Sequence, residues 1–354
     1  MRIHLLALPN AQTTRAYSLC GFTQMTINFA RLLKGLGHHV TLYASEENEA
    51  PCDELVTCIT KEEQQTLLGA TPYQYAAVSD KTALWQLANP RMAAEIGKRK
   101  QPRDAIMLIG GNSQAAVCAP HGDLLVLEYS IGYQGSFARF RVFQSTAWRH
   151  VTYGAQQIED GRFFDDVIPG FFDPADFQVS TKKPFALYVG RLVPRKGITV
   201  ACQAAAAAGI PLKVIGHGDA NLVTHGAEYL GALDGPMRNH FLSIASVVLC
   251  PTLYVEPFNC VAVEAQLSGT PVISTDWGGF TDTIEQGVTG YRCTYLGEFV
   301  HAMKSINHLA IPEQIRGRAI DRYSIDAVAP RYARYFKRLE LLWGNGWNDP
   351  EPLK

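Results

Sequence analysis

Two glutamates, Glu256 and Glu264, lie eight positions apart in the stretch YVEPFNCVAVEAQLSGTP (254–271), where the residue types most capable of chemistry are concentrated. Pro257 suits a helix start, because its missing N–H would be unpaired there in any case. The run VAVEAQLSG keeps helical spacing and stops at Gly269-Thr270-Pro271, a natural helix end. The spacing therefore predicts that the first-turn amides of Phe258, Asn259 and Cys260 point out of a helix tip whose dipole favours negative charge. Such a tip is an anion site, most naturally a phosphate site. At about 1.5 Å per residue, eight helical residues span roughly 12 Å, comparable with the distance from a sugar to a ribose across a diphosphate. One carboxylate at each end could then accept hydroxyl hydrogen bonds.

The elements that must position these groups are strands ending in short loops. In the second half, 185–189, 211–215, 247–250 and 272–274 read as strands and 197–208 as an alanine-rich helix. Gly190-Arg191-Leu192-Val193-Pro194-Arg195-Lys196-Gly197 follows the first strand, offering glycines for close backbone approach and cations for phosphate oxygens. Gly216-His217-Gly218 and Trp277-Gly278-Gly279 follow two others, so the set predicts a diphosphate cradle on one rim.

The first half opens as a βαβ unit: strand 2–8, loop 9–21, helix 22–34, strand 39–44. This implies a parallel sheet with its ligand face at the strand ends, and Gly21, closing the long loop, is a candidate substrate contact. Residues 46–100 show only weak helical periods around 62–68 and 82–87 and carry no site. Strands 105–109 and 124–127 follow, the second ending at Glu128, which is either a general acid/base or hydroxyl ligand or a surface-paired carboxylate. Residues 141–144 and 166–168 read as short strands around a helix 146–157. Pro169-Gly170-Phe171-Phe172-Asp173-Pro174 reads as a linker between domains.

With 354 residues, 47% hydrophobic and 18% charged, the chain suits two globular domains, and a net charge of −1 gives it no global field for nucleic acid. The local cluster Lys98-Arg99-Lys100 with Arg103 is either a solvated helix end or a peripheral membrane contact. No apolar run is long enough to span a bilayer, and MRIHLLALP lacks a signal-peptide pattern. Eight cysteines occur singly, without a CxxC, which predicts reduced thiols and a cytoplasmic setting.

Several motifs carry a family resemblance: GRLVPRKG (190–197), KVIGHG (213–218), EPFNCVAVEAQLSGTPVIST (256–275), WGGFTDTIEQGVTGY (277–291) and, more loosely, VIPGFFDPADF (167–177). In this order they resemble the retaining GT-B glycosyltransferases of family 4. The resemblance covers nearly all of the C-terminal half and, in outline only, the N-terminal half. It implies an α/β GT-B fold, two Rossmann-like domains facing across a cleft: 1–174 on the acceptor side, 175–325 binding the nucleotide sugar, and a terminal helix 329–343 packing back on the first. It also implies transfer of a hexose from a nucleoside diphosphate sugar, UDP-linked first and GDP-mannose next, to an unidentified acceptor hydroxyl, with retention and without metal or other cofactor. Arg191 and Lys196 fall on the family's diphosphate-binding cations, Glu256 on the donor-sugar carboxylate and Glu264 on the ribose carboxylate. The amides of Phe258, Asn259, Cys260 and Val261 would hold phosphate and sugar hydroxyls, with Gly21 and Gly216 as further donor contacts. Asn259 departs from the family's usual glycine. Glu128 stands near the place where the family has a histidine, which leaves the N-terminal catalytic partner open among Glu128, His121 and His150. The competing functions are a sugar-nucleotide epimerase of the same fold and a non-catalytic sugar-nucleotide-binding protein.

Overall fold

The computed structural model describes all residues except 234, 345 and 349–354. It divides into two units, Met1–Phe143 with Thr152–Ile168 and Val328–Lys354, and Gln144–Val151 with Pro169–Ala327.

In the first unit the strands are β1 (Arg2–Leu6), β2 (His39–Ser45), β3 (Glu54–Ile59), β4 (Ala105–Leu108), β5 (Leu125–Ile131), β6 (Phe140–Phe143) and β7 (Asp165–Val167). All pair in parallel, in the order β3-β2-β1-β4-β5-β6-β7. The central runs are apolar because helices cover both faces of a parallel sheet. β3 was not predicted: its sequence, ELVTCI, leaves Glu54, Leu55 and Thr57 exposed and lacks a continuous apolar run. The weak periods at 62–68 and 82–87 become helices Lys61–Leu68 and Ala83–Arg99, the latter carrying Pro90 inside it, which interrupts the sequence pattern.

The basic cluster sits at the end of that second helix, and its charge is balanced locally. Lys98 pairs with Glu95 (2.5 Å), Arg99 with Glu54 (2.7 Å) and Lys100 with Asp123 (2.5 Å), while Arg103 lies over the Trp343 ring. Of the two readings of the cluster, this geometry is that of a solvated helix end. No helix among the described residues is long and apolar enough to cross a membrane.

The second unit contains β8 (Lys183–Val189), β9 (Leu212–Ile215), β10 (Glu228–Tyr229), β11 (Ala245–Cys250), β12 (Val272–Thr275) and β13 (Gly290–Cys293), all parallel, in the order β10-β9-β8-β11-β12-β13. One face packs on the alanine-rich helix Ile198–Ala208, whose small side chains let Ala201, Ala204 and Ala205 approach the sheet closely. Leu242, Ala262, Ala265 and Phe280 cover the other face. At the two ends of this unit's longer segment, Pro169–Ala327, the chain's passes run together: Phe172 donates to the Tyr323 carbonyl (2.9 Å), and Ile325 donates to the Phe172 carbonyl (3.1 Å).

The terminal helix Ile325–Glu340 is strongly amphipathic, and its residues from Val328 onward group with the first unit. There Tyr332 meets Phe29 and Phe336 meets His38, at ring separations of 5.1 and 5.2 Å, and the Tyr335 hydroxyl donates to the Phe164 carbonyl (2.7 Å).

Candidate active site

In a doubly wound parallel sheet a ligand binds where the strand order reverses, beyond the carboxyl ends of the two strands flanking that point. In the second unit those strands are β8 and β11. The loops leaving β8, β9, β11 and β12 converge there, and glycines make the convergence sterically feasible. A Cβ on Gly216 would lie 1.8 Å from the Gly190 carbonyl oxygen, and one on Gly197, at φ +74°, 1.8 Å from the Pro251 carbonyl oxygen. Leu192 donates to the His217 carbonyl (2.7 Å), locking the β8 and β9 loops, and Gly279 donates to the Glu256 carbonyl (2.6 Å), locking those of β11 and β12.

Glu256 is buried at the centre of this assembly. Lys196 Nζ contacts its Oε2 at 2.7 Å, the Asn259 side-chain amide donates to the same oxygen at 3.3 Å, and the Tyr254 hydroxyl donates to Oε1 at 3.0 Å. Burial is the strongest single influence and would lower Lys196, but the charges of Glu256 and Tyr254 and their hydrogen bonds together outweigh it and hold the ammonium above its ordinary value. Arg195 stacks on the Tyr254 ring, its guanidinium carbon 4.0 Å from the centroid. Arg191 is exposed. It helps to lower the pKa of His217, although burial is the larger cause.

The site helix is Cys260–Leu267, with Asn259 as its N-cap. It therefore starts three residues later than the Pro257 start expected from sequence, and Phe258 and Asn259 precede it. Asn259 adopts φ +67°, the left-handed region that glycine tolerates and asparagine visits more readily than most residues. Its Oδ1 accepts from the Ala262 amide (3.0 Å), so one first-turn donor is already used and Cys260 and Val261 supply the remaining ones. One turn along, Glu264 is buried; its Oε1 takes Arg238 Nη2 at 3.2 Å, and its Oε2 has no hydrogen-bond partner among the described residues. The far end is held by cations: Lys182 donates to the Ser268 carbonyl (3.0 Å) and Arg316 to the Leu267 carbonyl.

The structure thus brings together Lys196, Glu256 and Asn259, with Gly216 closing the neighbouring loops and Phe258, Cys260, Val261 and Glu264 following along the same segment. Tyr254 and Arg238 are additions that sequence reasoning missed, and Arg195, expected only as a loop cation for phosphate, lies over the Tyr254 ring. Tyr254, two residues before Glu256, was within the stretch first singled out, but an aromatic side chain carried no charge signal.

In the first unit, Gly21 opens helix Gly21–Gly35 and is exposed, with nothing within 4 Å of where a Cβ would stand. Glu128 lies within β5 and not at its end, because the strand continues to Ile131 past a register shift. It is 0% exposed, accepting from the Phe137 and Ala138 amides (both 2.6 Å) and from the Tyr133 hydroxyl (2.8 Å). Burial raises its pKa, while those amides pull it down. Both oxygens are engaged by the 133–138 loop, so in this geometry the carboxylate organises that loop. His121 is buried and bonds the Ala93 carbonyl (3.0 Å), a structural contact, and His150 is exposed.

Residues 172–295 match the family model described as glycosyl transferases group 1. The matched stretch lies within the second unit and takes in Lys196, Glu256 and Glu264. Curated relatives include the lipopolysaccharide 1,2-N-acetylglucosaminetransferase of Salmonella typhimurium, 27% identical over 43% of this chain and 47% of that protein. Another is the phosphatidyl-myo-inositol mannosyltransferase of Propionibacterium freudenreichii, 28% identical over 42% of each. The chain spans less than half the length of either relative. Solved structures match over nearly all of this chain: a glycosyltransferase involved in avilamycin A biosynthesis has a TM-score of 0.70 at 20% identity, covering 98% of this chain and 99% of that one. Anabaena HepE in complex with UDP and glucose has a TM-score of 0.66 at 17% identity, covering 96% of this chain and 100% of that one. The α/β fold with two parallel sheets is that of GT-B glycosyltransferases, as the family resemblance of the sequence motifs implied.

Proposed function

We propose that the protein is a retaining glycosyltransferase of family 4 that moves a hexose from a nucleoside diphosphate sugar, UDP-linked in preference to GDP-mannose, to an acceptor hydroxyl. The observation that carries this reading is the buried Lys196–Glu256 pair at 2.7 Å, set at the strand-order reversal beside a helix tip with open amides. Charge grows on the departing diphosphate in the transition state. Arg191, Lys196 and the amides of Cys260 and Val261 are the groups available to stabilise it, so we propose that the transfer needs no metal. Glu256 accepts from a donor-sugar hydroxyl. The unpartnered Oε2 of Glu264 suits a ribose hydroxyl, since a buried acceptor left without a donor costs about 1–3 kcal/mol.

With retention, the acceptor oxygen bonds to the anomeric carbon on the face from which the diphosphate departs, and the leaving oxygen is the nearest base for the acceptor proton. Because Glu128 is consumed by its own loop, it has no part in this scheme. Eight unbridged cysteines fit the reducing, cytoplasmic setting proposed for the reaction.

The test is a thermal-shift and hydrolysis screen with UDP-glucose, UDP-N-acetylglucosamine, UDP-galactose and GDP-mannose in EDTA. We expect a UDP-sugar to raise Tm and to be slowly hydrolysed to UDP and the α-anomer of the free sugar. If no donor shifts Tm or is hydrolysed, the reading is overturned. A free epimerised sugar with no acceptor present would convert it to an epimerase.

A further inference from the structure

An ionised carboxylate offers about four lone-pair positions. At Glu256, Lys196 and Asn259 occupy Oε2, at 2.7 and 3.3 Å, and Tyr254 occupies one position on Oε1, at 3.0 Å. That leaves one. Tyr254 is held in place independently: Arg195 stacks on its ring at 4.0 Å and Trp277 Nε1 donates to its backbone carbonyl at 3.2 Å. We propose that Tyr254, braced by Arg195, is a specificity-determining positioning residue: by filling one side of Glu256 it leaves the carboxylate able to read a single donor-sugar hydroxyl.

This rests on the donor-sugar assignment of Glu256 above and adds to it how many hydroxyls are read and which residue sets the number. The phenol acts as a donor and not as a base: burial, and then the neighbouring Glu256 charge, raise its pKa, so it keeps its proton through the neutral range. Arg195 is exposed and Glu256 is not, which allows the brace to be removed without opening the site. Removing the hydroxyl alone frees the second position on Oε1, so a second sugar hydroxyl, or water, can enter and the discrimination blurs.

The experiment is calorimetric binding of UDP, UDP-glucose and UDP-glucose analogues, each altered at a single ring position (2-deoxy, 3-deoxy, 4-deoxy and the 4-epimer UDP-galactose), to wild type, Tyr254→Phe, Arg195→Ala and Glu256→Gln. Glu256→Gln should relax the penalty at one ring position by at least fivefold and the others by less than twofold, which identifies the hydroxyl read. Tyr254→Phe should relax that same position by at least threefold while UDP affinity stays within twofold. Arg195→Ala should act in the same direction more weakly. The inference is overturned if Glu256→Gln relaxes two non-adjacent positions equally, if Tyr254→Phe leaves the profile unchanged, or if it weakens UDP and UDP-glucose alike. Failure of UDP to bind wild type overturns the donor reading and this inference together. Binding with a sugar profile insensitive to Glu256→Gln overturns the inference alone.

Discussion

Asn259 performs three tasks in one residue: it takes a left-handed φ of +67°, caps the site helix through Ala262 and donates to Glu256. A glycine there keeps the backbone conformation and loses only the side-chain bonds, whereas an alanine loses the same bonds and adds left-handed strain of about 1–2 kcal/mol. Urea denaturation should accordingly rank Asn259→Ala below Asn259→Gly by that margin. Lys196→Met leaves a buried carboxylate without its counter-charge. The loss should be about 3 kcal/mol, at the low end of the range for broken buried pairs, because Tyr254 and Asn259 still donate; calorimetry should also show UDP binding weakened at least tenfold. For Glu264→Gln, UDP affinity should fall about tenfold, the size expected for one charged hydrogen bond. 2′,3′-Dideoxy-UDP should bind the variant and wild type equally. Glu256, Glu264 and Lys196 could be singled out from the sequence because they sit at distinctive places in recognisable motifs, whereas Arg238, the partner of Glu264, lies outside any of them. Tyr254 could not, since its role depends on a loop bringing it against Lys196 and Arg195, and loop conformation has no period to read.

At the level of elements, the loops of the second unit are fastened to one another through glycines that have no room for a side chain. Gly216→Ala would place a methyl group on the Gly190 carbonyl, so the β8 and β9 loops must separate. We expect circular dichroism to retain its helical signal while UDP binding is lost. Gly21→Ala is the contrasting case: with open space at its Cβ and an ordinary φ, the substitution should shift stability by less than about 0.5 kcal/mol, and a fall in donor affinity would then report on ligand contact alone. Central strands were found from sequence because burial on both faces makes them continuous apolar runs. β3, β10 and β13, all edge strands, were missed: β3 exposes polar residues, β13 is a four-residue GYRC with its middle half-buried, and β10, with only Glu228 and Tyr229, is too short to show alternation. The misplaced helix start at Pro257 has a related cause: the asparagine side chain caps the helix three residues later, and a proline signal alone cannot compete with an observed cap.

Across the whole molecule, the first unit brings Met1 and the helix Ile325–Glu340 to the same place, and His38 sits between them, bonding the Met1 amine at 3.0 Å and packing on Phe336. Burial, assisted by the amine's charge, lowers its pKa from 6.5 to about 4. Between those values the unfolded chain binds a proton that the folded one refuses, so His38 favours the folded state above pH 6.5 and this contribution disappears as pH falls towards 4. Tm should drop across that window, and His38→Gln should flatten the decline. The division into two Rossmann-like units was legible from the restart of alternating strands and helices after the 169–174 segment, but the grouping of Gln144–Val151 with the second unit was not, because it depends on a tertiary contact, the Thr146 amide donating to Asp282 (2.7 Å).

The side-by-side passage of the chain at Phe172 and Ser324 means that the long segment between them, which carries the second unit's sheet, is bounded by one double seam. Its two ends emerge as neighbours, as in a plug-in cartridge. Such a cartridge lends itself to exchange: on the function proposed above, a corresponding segment from a relative with a different sugar preference, grafted across the same seam, should change the sugar that is delivered.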